Sequence, residues 1–158
     1  MPGTNRLQVI APKGETTVRI VREFDFPRRL VWAAHTEGRH MANWWGPRKY
    51  ENHVEVFDAR PGGKWRIVQT DGKARHVFHG EFREVVAPER FVQTFAYADF
   101  PMAVSTYVFE DLGGRTRLTA ETDFGSVEGR DAMIATDMES GAGEGYDRLD
   151  ELLATLKA

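Results

Sequence analysis

A chain of 158 residues, 41% hydrophobic and 28% charged, has the length and make-up of one ordinary globular domain. Its 21 basic and 24 acidic side chains leave a formal net charge of −3 and are interleaved, which excludes the concentrated basic surface that nucleic acid requires. There is no cysteine, so disulfides, thiolate metal sites and cysteine nucleophiles are excluded, and no run approaches the ~20 apolar residues that cross a bilayer.

The segment Met1 to Glu15, with Pro2, Gly3, Pro12 and Gly14 and no sustained period, reads as a flexible N-terminal arm (residues 1–15) ahead of a domain over 16–158. No export signal is visible in it, so a cytoplasmic location is expected. From Thr16 to Phe26 the chain alternates Val18, Ile20, Phe24 and Phe26 against Arg19, Glu23 and Asp25, the period of two of a half-buried strand. Pro27 then suits a helix start, and Leu30, Val31 and Ala34 are helically spaced over Arg28 to Thr36. A second short helical turn runs to Trp44 and Trp45 and closes at Gly46-Pro47.

Six strand-like stretches follow: Tyr50 to Arg60, Lys64 to Thr70, His76 to Val86, Arg90 to Tyr97, Val104 to Asp111 and Arg115 to Asp123. They are separated by turn signals such as Pro61-Gly62-Gly63, Asp71-Gly72 and Leu112-Gly113-Gly114, which are too short to hold crossover helices. The sheet is therefore expected to be an antiparallel meander.

The period changes once more near the end, where Met138, Ala142, Tyr146, Leu149, Leu152, Leu153 and Leu156 make an apolar stripe on a long helix. Glu144, four residues before Arg148, offers modest i,i+4 support. Gly141, Gly143 and Gly145 interrupt this helix, each at about 1 kcal/mol relative to alanine. Either the helix bends there, or the missing side chains let sheet, loop or ligand come close. If they are neutral, Gly143→Ala should stabilise; if they shape a pocket, the added methyl should narrow it.

A curved antiparallel sheet must bury its apolar face, and this helix is the long element available to cover it, which makes the class α+β. The order strand, two short helices, six strands and long helix resembles the SRPBCC or START-like superfamily, also called birch-pollen-allergen-like. Within it the chain is similar to the branch related to the C-terminal domain of the activator of the ninety-kilodalton heat-shock protein ATPase. The likeness is carried by Phe24-Asp25-Phe26-Pro27-Arg28-Arg29-Leu30-Val31-Trp32, Trp44-Trp45-Gly46-Pro47, Arg60-Pro61-Gly62-Gly63-Lys64-Trp65, Gly80 to Val85 with Pro88-Glu89-Arg90, Thr116-Arg117-Leu118-Thr119, and Gly145-Tyr146. It implies a helix-grip fold, a curved sheet wrapped around the C-terminal helix with a cavity between them. Where members of this branch often carry Trp beside the glycine of the final helix, this chain has Tyr146.

The wealth of aromatic side chains on the strands also predicts an internal pocket. Its wall candidates are Trp44, Trp65, Phe78, Phe95, Tyr97, Met102, Met138 and Tyr146. Either Trp44 or Trp45 gates the mouth, or at least one plugs the short helices onto the sheet. Arg22, among apolar neighbours, is either a polar anchor inside the cavity or a rim residue. His35, His40, His53, His76 and His79 are dispersed, and His76 and His79 point to opposite faces of their strand, so no functional metal and no cofactor are expected.

Three functions fit. The first is non-catalytic binding of a small apolar or amphipathic ligand, which suits an aromatic wall with few polar groups. The second is an enzyme of cyclase, dehydratase or hydrolase type on the same fold, with His79, Glu81, Tyr97 or Tyr107 as acid/base groups; it requires those groups to converge inside. The third, implied by the resemblance, is a co-chaperone-like interaction module with a chaperone partner. A monomer or homodimer is expected, without membrane insertion.

Overall fold

The computed structural model describes residues 6–98 and 100–156. Its order is β1 (Gln8–Ile10), β2 (Thr17–Phe24), α1 (Arg28–Thr36), α2 (Gly38–Trp44), β3 (Glu51–Phe57), β4 (Lys64–Thr70), β5 (Arg75–Val86), β6 (Arg90–Tyr97), β7 (Ala103–Asp111), β8 (Thr116–Asp123), α3 (Val127–Ile134) and α4 (Met138–Leu156). The fold is α+β and of helix-grip type: one curved, unclosed sheet of eight antiparallel strands, ordered β1-β2-β8-β7-β6-β5-β4-β3, holds α4. Two elements lie outside the sequence expectation. Strand β1, inside the segment read as an arm, has only three residues, too few to show a period, and pairs Val9 with Ile20. Residues 1–5 of that arm lie outside the described residues. Helix α3 buries only Arg130 and Met133, so it lacks an apolar stripe, although Ser126 caps it by accepting from Gly129 N at 2.9 Å.

Irregular pairing between Val54 and Val56 and between Phe82 and Glu84 marks bulges, which increase local twist and let the sheet curl. The curl leaves two packed cores. Under the C-terminal half of α4, Leu149 and Leu153 meet Phe24, Val31, Phe82 and Phe109; at the other end Val18, Ala103, Phe124 and Met133 pack together. Ile20 and Phe95 touch both clusters. The buried cation Arg22, on the inward face of β2, reaches Asp147 at 3.0 Å and Asp150 at 4.0 Å and so ties α4 to the sheet. Among the described residues no helix is long and apolar enough to cross a membrane.

Candidate ligand cavity

Between the two cores lies a cavity of about 810 Å³, within the usual range of roughly 300–1,000 Å³ for small-molecule sites. Its floor is the inward face of the sheet, including Ile20, Phe95, Tyr107 and Ala120; its walls are the segment 44–50 and the first half of α4. The stripe of α4 explains why space remains there. Its second half presents leucines that fill the sheet's concavity, whereas its first half presents Gly141, Ala142 and Gly145 to the cavity.

The glycines are not equivalent. A Cβ on Gly145 would sit 2.9 Å from the backbone nitrogen of Gly46 and 3.5 Å from Trp44 O, so that glycine lets α4 and the Trp44–Pro47 wall approach. Gly141 faces Pro47 at an ordinary 3.5 Å, and Gly143 faces open space outside the cavity. Gly145→Ala is therefore expected to lower stability by about 1–3 kcal/mol, because the obstructing atoms are backbone. Gly143→Ala should raise it by about 0.4–1 kcal/mol. Melting curves of the two variants check this; equal shifts of the same sign would refute the assignment. The pocket-narrowing role weighed for Gly143 thus passes to Gly145 and Gly141.

The wall segment is held by polar clamps. Arg148, on α4, donates to the carbonyls of Gly46 at 3.0 Å, Pro47 at 3.1 Å and Asn43 at 3.1 Å. Asn52 and Gln69 donate to Trp45 O at 2.7 and 3.1 Å. Burial and the neighbouring Arg48 hold the Arg148 pKa below its ordinary value. Glu144 acts on Arg148 through its charge, as the i,i+4 spacing suggests, while its carboxylate accepts from Arg48 N at 3.0 Å and Arg148 donates to the carbonyls of the turn. Gly46 itself sits at φ +80°, and a Cβ there would strike Gln69 Nε2 at 2.1 Å, so the Trp-Trp-Gly-Pro turn needs its glycine.

Six of the eight wall candidates, Trp44, Phe78, Phe95, Tyr97, Met138 and Tyr146, line the cavity. Trp65 is displaced by Trp45, which packs over it at 6.2 Å; its indole N–H is committed to Thr94 O at 3.1 Å. Met102 is 59% exposed, because it precedes the buried first residue of β7, Ala103, and points the other way. Trp44 and Trp45 both reach the cavity but differ in kind. Trp44 is buried, donates to Ala34 O at 2.9 Å and packs on Tyr146 at 5.4 Å, whereas Trp45 is half-buried and meets Phe78 edge-on at 4.7 Å.

Two clusters of uncharged polar side chains stand in the cavity. At one end His76 lies between two phenols, with Tyr97 Oη 2.9 Å from Nδ1 and Tyr50 Oη 3.1 Å from Nε2; in either neutral tautomer one nitrogen donates and the other accepts. On β7 and β8, Ser105 Oγ and Thr122 Oγ1 are 2.8 Å apart beside Tyr107, and Tyr146 comes from α4. Burial pushes the Tyr107 hydroxyl up to about 12 and, with Tyr107 nearby, raises that of Tyr146 well above its ordinary value, so both stay protonated. Behind them His35, 3% exposed, is lowered by burial to about 4. His79 and Glu81 lie on the opposite face of β5, where Glu81 pairs with Lys64 at 3.5 Å, so they do not converge with Tyr97 and Tyr107. Among the described residues no three metal-ligating side chains stand together. Ser105, Thr122 and Gln69 were absent from the sequence-derived wall; the available signal was a polar residue in the inward phase of a strand.

A family model described as Activator of Hsp90 ATPase homolog 1-like protein matches residues 25–154. No curated protein matches the chain. Among solved structures, a Rhodobacter sphaeroides protein is 26% identical with TM-score 0.88, over 95% of this chain and 99% of its own. An Arthrobacter aurescens protein is 26% identical with TM-score 0.87, over 94% and 91%. The AHSA1 protein from Silicibacter pomeroyi, 22% identical over 89% of this chain and 99% of its own with TM-score 0.72, shares the fold.

Proposed function

Because the chain belongs to the Activator of Hsp90 ATPase homolog 1-like family, within the SRPBCC superfamily, its cavity comes with a fold shared by many activities, and we propose that this protein binds a small apolar or amphipathic molecule there without transforming it. The observation that carries this reading is the cavity itself, about 810 Å³ between α4 and the sheet, with a mainly apolar surface and its charged side chains at the exposed mouth. Of the four acid/base groups weighed for the enzyme reading, Tyr97 and Tyr107 line the cavity while His79 and Glu81 face outward, which lends that reading less support. The chaperone-partner reading calls on the outer surface instead, where the exposed large apolar residues among those described are Ile10, Val56, Val86, Met102 and Ile134.

The test is titration with N-phenyl-1-naphthylamine, an uncharged fluorescent probe. Saturable binding is expected, with quenching of tryptophan emission from Trp44 and Trp45, which line the cavity. Ala120→Leu, which fills space at the floor, should weaken binding about tenfold or more while the protein still melts cooperatively. Non-saturable binding, or an unchanged affinity in the folded Ala120→Leu variant, would remove the cavity as the binding site.

A further inference from the structure

The hydroxyls of the cavity differ in what they already hold. His76, Tyr97 and Tyr50 hold one another, one phenol donating to the ring and the other accepting from it, which leaves a single phenol proton at their end of the cavity. Neither the Tyr107 nor the Tyr146 hydroxyl has a hydrogen-bond partner among the described residues, although both side chains line the cavity and their rings flank His35 at 5.9 and 6.1 Å. Neither oxygen is sealed from the cavity, since the buried polar atoms without a partner are Arg22 Nε, His35 Nε2 and Asn52 Oδ1. Ser105 and Tyr107 stand two residues apart on the same face of β7, opposite Thr122 and Ala120. In the Ser105–Thr122 pair one hydroxyl donates to the other, which leaves the acceptor's own proton free. Three O–H donors are thus available at one end of a mainly apolar space.

No fully charged side chain among the described residues lines that end. The cavity residues that carry full charges, Arg48, Lys49, Asp137 and Glu144, are all exposed at its mouth. Arg22, on the next inward row of β2, is the one buried cation near that end among the described residues; its charge acts on Tyr146, but it is already paired with Asp147 at 3.0 Å and Asp150 at 4.0 Å. A buried carboxylate would therefore find only a cation already paired with two carboxylates to compensate its lost hydration, whereas a neutral oxygen loses little and gains donors. A hydrocarbon would leave the two phenols unsatisfied against its surface.

We propose that the Tyr107–Tyr146 end of the cavity, with the Ser105–Thr122 pair beside it, receives the oxygen of an uncharged ligand, a ketone, quinone or alcohol on an apolar ring skeleton. This rests on the cavity-binding reading and names the ligand class for it. The raised pKa values of the two phenols agree, since a phenol that stays protonated remains a donor.

Three probes of one shape separate the possibilities in the full chain by titration calorimetry: 2-acetylnaphthalene, 2-ethylnaphthalene and 2-naphthoate. The ketone should bind most tightly and the carboxylate least. Tyr107→Phe and Tyr146→Phe keep both rings and remove only unpaired hydroxyls, so their melting temperatures should hold or rise. Each should weaken ketone binding about fivefold and leave 2-ethylnaphthalene unchanged, the worth of one ordinary hydrogen bond. Ser105→Ala supplies an independent variant should either phenylalanine variant melt early, with a smaller loss of the same pattern. Equal losses for ketone and hydrocarbon, or no loss for either, would overturn the ligand class while leaving cavity binding intact. Tightest binding of naphthoate would overturn it too. If no probe binds the wild-type protein, cavity binding itself fails, and this inference with it.

Discussion

Trp44→Ala is expected to destabilise the protein by about 3–5 kcal/mol, the cost of emptying a large buried aromatic site. The effect should be read in urea denaturation and as a fall of roughly 10 °C in Tm. Trp44 is 3% exposed and connects four things: its ring contacts His35 at 5.0 Å and Tyr146 at 5.4 Å, its indole N–H holds Ala34 O, and its own carbonyl lies where α4 passes closest. Removing it leaves that carbonyl of α1 without its donor and opens a void between α1 and α4. Trp45→Ala is the control. Trp45 is half-buried, packs on Phe78 and Trp65, and leaves no buried donor behind, so its loss should cost less stability and appear mainly in probe affinity. If both variants lose the same stability, or Trp44→Ala melts like wild type, the division of labour between the two indoles is wrong.

That division shows where sequence reasoning succeeds and where it stops. Alternation in Val18, Ile20, Phe24 and in Thr116, Leu118, Ala120 reports which face of each strand is buried, and the short turns force an antiparallel meander, so β2 to β8 and α4 were all legible. Alternation does not report whether the space above a residue is filled. That depends on which half of α4 crosses it: Leu149 and Leu153 fill one half, while Gly141, Ala142 and Gly145 leave the other open. Trp65 has the right phase, yet a neighbouring indole covers it. Met102 has the right chemistry, yet it stands one residue outside the strand's buried phase. Arg148 was legible as a helix-surface cation, but its carbonyl targets lie about a hundred residues earlier and no local pattern predicts such a contact.

The remaining large effect is acid sensitivity centred on His35. Its Nδ1 lies 2.8 Å from the carbonyl of Val31, which can only accept, so the proton resides on Nδ1 and the Nε2 lone pair is turned into the protein without a partner. Around the ring stand Trp44 at 5.0 Å, Phe109 at 5.1 Å, Tyr107 at 5.9 Å and Tyr146 at 6.1 Å. Burial in that box lowers the folded-state pKa from 6.5 to about 4, outweighing the Val31 bond that raises it. Between those two values the unfolded chain binds a proton that the folded chain does not, so stability is full above pH 6.5 and falls as pH is lowered toward 4. The loss should reach roughly 2 kcal/mol at pH 5 and roughly 3 kcal/mol near pH 4, from about 1.36 kcal/mol per pH unit. Glu23 and Glu151, held below their ordinary 4.5 by hydrogen bonds from Arg115 and Arg48, lose their contributions only below about that pH and so leave the upper part of the window clear. His35→Phe keeps a flat ring in the aromatic box and removes the titration. Urea denaturation of both proteins from pH 8 to pH 5 should give a falling stability for wild type and a nearly level one for the variant. Parallel curves over that range would show that the acid sensitivity resides elsewhere and that His35 already charges without loss in the folded protein.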